Sequence, residues 1–398
     1  MTSMSVEAFR ACFPATAELT YMDVAARGVL PRQTREALGE YLDMRMQSGG
    51  DKPAMFERVE ALRAGYAALI GAGGDEIAYV KNVSEGLNAI IAAYDWQPGD
   101  RVVLCPQLEH PNNIYPWRHL ARRREVSLST VAARDGALDI DAIIDAIDDR
   151  TRMVTVSSVT FAPGLVADLR HIGAECRARD VLLLVDGVQS VGLLDTDVES
   201  MQVDALSVST QKGLLGLYGL GLLYCRKAWA QRLQPAYLAR FSVDLGQAHE
   251  AQDGGADFEL MPGARRFEIG NYNYAGVVAA QTSLALLRSV GMARVESHVR
   301  DLGRALAEGL EGLGMPLIGP AGGPLRGSIV CIGRLDAGQH DGVDDARLQS
   351  LYEHLQAHAV RLSIRRGMLR FSLHAYNDMS DVARVLELVE SWQRRSPG

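Results

Sequence analysis

Lysine is nearly absent from this chain. Of 41 basic residues only Lys52, Lys81, Lys212 and Lys227 are lysines; the other 37 are arginines. Cysteine is also sparse. Cys12, Cys105, Cys176, Cys225 and Cys331 are odd in number, scattered and never in a C-x-x-C pair. That spacing argues against a disulfide framework or a zinc site, so no metal is expected and a reduced cytoplasm fits best. No apolar run approaches the roughly 20 residues that span a bilayer. The opening MTSMSVEAFRACFPATAEL has no cationic stretch leading into an apolar one, so no secretion signal is expected. Positive charge is in deficit, with a net charge of −8. That argues against nucleic acid or an anionic membrane as partner.

What is present is the composition of a globular protein. The chain has 398 residues, 47% hydrophobic and 23% charged, enough for one large domain and a smaller one. Short apolar runs alternate with helical patterns between about 76 and 226. Strands are expected at 76–82, 101–106, 125–133, 152–160, 181–187, 204–210 and 221–226, with helices near 84–94, 113–123, 139–148 and 168–179. This alternation implies an α/β fold, a mostly parallel seven-stranded sheet covered by helices. Ligands of such sheets bind beyond the carboxyl ends of the strands. An earlier helix is expected near 32–47. After 274 come a long helical stretch (274–312), a Gly/Pro-rich segment (319–327), strands at 328–333, 360–365 and 368–375, and helices at 344–358 and 379–394. These read as a smaller α+β domain. The expected division is an N-terminal segment (1–30), a large domain (31–273) and a small domain (274–398).

Two residues stand out chemically. Lys212 lies in SVSTQKGLLG, between small hydroxyl residues and glycines, with no other charge beside it. A chain that uses arginine almost everywhere keeps lysine where an amine must lose its proton and react, which arginine cannot do. Asp186 ends the apolar run LLLVD, with Gln189 three residues on. An acid at the end of a buried strand is costly unless it meets donors or a cation. It is either a structural cap or ion pair, or the partner of a protonated ring nitrogen such as that of pyridoxal phosphate (PLP). Lys212 is either a solvated amine or the amine that forms a Schiff base with an aldehyde cofactor.

VDGVQSVG and SVSTQKGLLGLYGLGLLYCRK together resemble the fold-type-I PLP enzymes of the class V aminotransferase family. That family also holds cysteine desulfurases, isopenicillin N epimerase-like enzymes and C–S lyases. Further segments match in order: YMDVAARGVLP (21–31), NVSEGLN (82–88), EHPNNIYPW (109–117), RFEIGNYN (266–273) and LRFSLHAYND (369–378). The resemblance implies PLP as cofactor, bound through Lys212. It implies Asp186 on the ring nitrogen, His110 stacked on the ring and Gln189 on the phenolic oxygen. Ser84, Glu85, Ser209 and Gln211 would hold the phosphate, Ser84 and Glu85 at a helix N-terminus. Arg370 would grip the α-carboxylate of an amino-acid-like substrate through its bidentate fork. Asn113 and Arg27 join it on the substrate side, Arg27 to read a second acidic group. The resemblance also implies a homodimer, with Asn271 near the neighbouring subunit's phosphate.

The sequence departs from the family in two places. Gln211 stands where histidine is common, and Asn271 where threonine is usual. The stretch HAVRLSIRRGMLRFS also lacks the cysteine that desulfurases carry shortly before this arginine. The expectation is therefore an aminotransferase first, a β-eliminating C–S lyase or epimerase second, and a non-catalytic PLP-binding regulator last. On this reading a cysteine desulfurase is disfavoured.

Overall fold

Residues 182–186 show why the sheet forms where it does. Leu182, Leu184 and their neighbours point into one apolar layer, while Leu183 and Val185 point into the layer on the opposite face. A strand buried on both faces needs an unbroken apolar run, and LLLV supplies it. In this computed structural model, which describes residues 4–246, 258–335 and 341–395, all seven expected strands are present. They are β1 (Ile77–Val80), β2 (Arg101–Leu104), β3 (Ser127–Thr130), β4 (Thr151–Ser157), β5 (Leu182–Asp186), β6 (Ala205–Ser209) and β7 (Gly221–Cys225). Their order across the sheet is β1-β7-β6-β5-β4-β2-β3, and only β7 runs antiparallel to its neighbours.

Helices α1 (Arg32–Ser48), α2 (Lys52–Ile70), α3 (Val83–Ala93), α4 (Tyr115–Arg124) and α5 (Leu169–Ala178) belong with this sheet. The register fixes where chemistry can occur. Ser157 is level with Asp186, Asp186 with Ser207, and Ser209 with Val80 through their common partner Gly221. The carboxyl ends of β1, β4, β5 and β6 therefore open onto one edge.

The long helical stretch is two helices, α6 (Tyr274–Val290) and α7 (Met292–Gly312), bent by 81°. Gly291 sits between them at φ +90, a backbone conformation that suits glycine. α6 packs on α1 and α2, whereas α7 joins the core of the second unit. On packing we place the division at Gly291 rather than before Tyr274. The second unit is an antiparallel sheet of β8 (Ile329–Gly333), β9 (Ser363–Arg365) and β10 (Met368–Ser372), with β10 central. Helices α8 (Ala346–Ala357) and α9 (Met379–Arg395) pack with α7 around it. The N-terminal segment crosses to this unit: Thr20–Tyr21 pairs with Val360–Arg361, and Asp23 bridges to Ser372.

Candidate active site

Seven of the residues expected from sequence line one cavity of about 400 Å3: Ser84, His110, Asp186, Gln189, Ser209, Gln211 and Lys212. Parallel strand ends account for this. β4 and β5 deliver Ser157 and Asp186 side by side, β6 carries Ser209 two residues further on, and the turn after β6 brings Lys212 to the same cavity. That turn is clamped. The Gly28 amide donates to the Gln211 carbonyl (2.8 Å), Leu215 donates to the Lys212 carbonyl (3.0 Å), and His374 Nε2 lies 3.0 Å from the Gly213 carbonyl. Gly28 is required there. A Cβ would stand 2.5 Å from Leu215 Cδ2 and 2.8 Å from the Lys212 carbonyl oxygen.

Lys212 is half-buried, and the surface it retains faces the cavity. Desolvation, reinforced by the Arg370 guanidinium, pulls its amine down to about 8, with Asp186 opposing. Asp186 is 3% exposed and accepts a hydrogen bond from the Val188 amide (3.0 Å). Burial raises its carboxyl, while the Val188 amide and Lys212 hold it down. A buried acid and a readily deprotonated amine thus share one chamber.

At one end of the cavity α3 begins. The Asn82 side chain caps the Glu85 amide (2.9 Å), and Ser209 Oγ accepts from the Val83 amide (2.7 Å). Ser84 lies between them on the cavity wall, and the Ser209 hydroxyl keeps its own proton to donate. This end suits an anion such as a phosphate. At the middle, Gln189 Nε2 donates to the Ala25 carbonyl (3.0 Å), and its Oε1 is buried with no hydrogen-bond partner. His110 accepts at Nδ1 from the Asn112 amide (3.2 Å), and its ring meets Phe161 edge-on at 5.0 Å.

Beneath this wall is Glu109, which the sequence reading passed over. It is 3% exposed and takes three hydrogen bonds: from Asn113 Nδ2 (2.8 Å), the Ser157 amide (2.7 Å) and Ser157 Oγ (2.7 Å). Burial, with Asp186 adding to it, pushes its carboxyl up to about 7 against those donors. Asp23, Phe161 and His374 were also missed, because their roles come from contacts across hundreds of residues.

Several expectations need correcting. Glu85 does not line the cavity. Its amide is taken by Asn82, and its carboxylate turns back to the Lys81 amide. Asn113 is fully buried and engaged at both ends of its amide: its nitrogen donates to Glu109, while its oxygen accepts from Trp117 Nε1 (3.2 Å) and Thr155 Oγ1 (3.1 Å). It holds the wall together, and Asn112 lines the cavity instead. Arg27 is exposed and lines none of it; Asn271 is exposed too, and the contact expected of it is to a neighbouring subunit. Arg370 lies behind the wall, 1% exposed. Its Nε donates to Ser363 Oγ (3.1 Å) and its Nη1 to the Phe161 carbonyl (2.9 Å).

Fold and site together define a fold-type-I PLP enzyme. The chain matches the model of the class-V aminotransferase family over residues 20–385, and it belongs to that family. A probable cysteine desulfurase of Pyrococcus abyssi is 28% identical over 397 residues, covering 96% of each chain. A cysteine desulfurase structure from Thermococcus onnurineus superposes with a TM-score of 0.86 at 24% identity, covering all of both chains. A C-DES variant with glycine covalently linked to its PLP cofactor superposes at 0.84 and 22% identity, covering 96% of this chain and 99% of that one. These relatives overturn the sequence expectation that ranked aminotransferase first and disfavoured a cysteine desulfurase. The cofactor is pyridoxal phosphate, and the residues present suit it. The start of α3 and Ser209 would accommodate its phosphate, the orphaned Gln189 Oε1 its phenolic hydroxyl, and Asp186 its ring nitrogen.

Proposed function

We propose that this protein cleaves the C–S bond of L-cysteine or a close derivative, releasing alanine and passing the sulfur to a diffusible thiol. PLP bound at Lys212 supplies an electron sink for the bond made labile at the α-carbon. The chain's own residues do the rest. The Lys212 amine, drawn down to about 8, removes the α-proton and returns a proton. Asp186 keeps the ring nitrogen protonated. Arg370, behind that wall but close enough to act on Lys212 as a charge, offers its unbonded Nη2 to the substrate carboxylate, and His110 and Phe161 line the cavity.

The names of the relatives support a desulfurase reading. One observation supports this route for the sulfur: all five cysteines are buried, and none lines the cavity. Burial pushes the Cys105 thiol up to about 11 and the Cys331 thiol up to about 12, so neither is a thiolate at neutral pH. The balanced reaction is cysteine plus thiol giving alanine plus the thiol's persulfide. The β-carbon gains a hydrogen where the sulfur leaves.

The test is the purified holoenzyme with L-cysteine and excess dithiothreitol. The expected products are alanine and sulfide in equal amounts, absent in Lys212→Ala. Pyruvate and ammonia in place of alanine, or turnover only with an added keto acid, would refute the reading.

A further inference from the structure

Arg370 has one donor to spare. Its Nη2 is buried and makes no hydrogen bond, and Asp23 Oδ1 lies 3.8 Å away, also buried and also without a partner. At that distance the two attract as charges but do not bond. The main chain of Asp23 is anchored: it bridges to Ser372 and accepts from the Ala26 amide (3.0 Å) and the Arg27 amide (3.1 Å). Arg370 is fixed by Ser363 and Phe161. Each therefore keeps one hydrogen-bonding position unfilled, and a ligand oxygen that took the place of Asp23 would find the Arg370 Nη2 donor unbonded.

We propose that Asp23 makes carboxylate binding proton-linked: a substrate carboxylate settles on Arg370 Nη2 as Asp23 takes up a proton. The proposal rests on the reading of Arg370 as the carboxylate grip. An incoming carboxylate brings a second negative charge to the same guanidinium nitrogen. Two carboxylates sharing one site do not both stay ionised. The surroundings of Asp23 set the balance in the free enzyme. Arg370, Arg365 and Arg27 favour its charged form, as does the Ser363 hydroxyl, and burial opposes them and prevails, so its carboxyl is raised. Tyr21, Tyr376 and the Lys212 amine face it as well. Arg365 is already paired with Asp341 at 2.7 Å, which leaves Arg370 as the cation the two carboxylates share.

The sign follows directly. Ionised Asp23 repels the ligand, so apparent affinity falls as pH rises through the range where Asp23 ionises in the free enzyme. The loss is at most about tenfold per pH unit for one proton. Asp23 acts here on binding, so kcat is not the readout.

The experiment is calorimetric titration of the holoenzyme with propionate, a carboxylate that lacks the amine, in two buffers of different ionisation enthalpy between pH 6 and 8. The wild type is expected to take up a fraction of one proton per propionate and to bind more weakly as pH rises. Asp23→Asn is expected to take up none, to lose the pH slope and to bind more tightly than the wild type at pH 8. Saturable binding with the same proton uptake in both proteins, or with none in the wild type, overturns the proposal. So does Asp23→Asn binding more weakly at every pH, the result a purely structural pair would give. Arg370→Leu separates the underlying reading. If it binds propionate like the wild type, or if the wild type binds none, the Arg370 assignment fails. An unchanged visible spectrum and melting temperature establish that Asp23→Asn is folded and loaded.

Discussion

A single amine shows how much this site depends on desolvation. At pH 7.5 a lysine titrating near 10.5 is neutral in about one molecule in a thousand, whereas one titrating near 8 is neutral in about a quarter. Only the neutral amine attacks an aldehyde. Uptake of PLP by the apo protein, followed by visible absorbance, should therefore accelerate with pH and level off through about 8. Asp186 favours the charged amine, so Asp186→Asn should move that inflection to lower pH; an inflection near 10.5 in the wild type would contradict the burial argument. Lys212 and Asp186 were legible in the sequence because each breaks its surroundings, a lone amine among small residues and an acid closing an apolar run. Glu109 was not legible. Its neighbours in sequence say nothing of Ser157, 48 residues away, which supplies two of its three donors.

The element that carries Lys212 is a turn held in place from outside. His374 reaches it from beyond β10. The Ala375 amide donates to His374 Nδ1 (2.8 Å), so the ring proton sits on Nε2 and is donated to the Gly213 carbonyl. Burial lowers this imidazole to about 4, so it stays neutral. It lies stacked on Tyr376, ring centroids 4.8 Å apart, and on Phe9 at 5.9 Å. Replacing it by phenylalanine keeps the stack and strips one buried carbonyl of its donor, at a cost of about 1–3 kcal/mol. His374→Phe should lower the melting temperature and loosen cofactor binding several-fold, and His374→Gln, which can still donate, should recover much of both. Equal losses in the two variants would mean that only the stack matters. At this scale the strands were well read, because all but the edge strand β3 are largely buried on both faces and write themselves as apolar runs. Helix α2 was not foreseen. It buries residues on several faces, Arg63 among them, and so lacks the one-sided stripe that marks a surface helix.

Across the whole molecule, the N-terminal segment is moored to the start of α9. Arg10, in the first helical turn, binds Asp381 at the start of α9 (2.7 Å), Asp378 (3.0 Å) and the Tyr376 carbonyl (2.5 Å). From that anchor the N-terminal segment runs along Val360–Arg361, sets Asp23 beside Arg370 and ends with Gly28 on the Lys212 turn. Both units of the fold are thereby stitched to one strap. The motif YMDVAARGVLP hinted at the strap's destination, but not at its mooring, since nothing in sequence links residue 10 to residue 381. Asp381 is 5% exposed, so removing Arg10 leaves a buried carboxylate with only the Asn377 side chain (3.1 Å) and the Asp378 amide (3.1 Å) to satisfy it. Losing one partner of a largely buried pair costs about 3–5 kcal/mol at most, less here because Arg10 is partly exposed. Arg10→Ala should therefore destabilise the protein in urea. Amide exchange should rise not only in Val6–Arg10 but along 20–28, with weaker cofactor retention as Gly28 loosens. Exchange confined to Val6–Arg10 would show that the strap is held by its strand pairing alone.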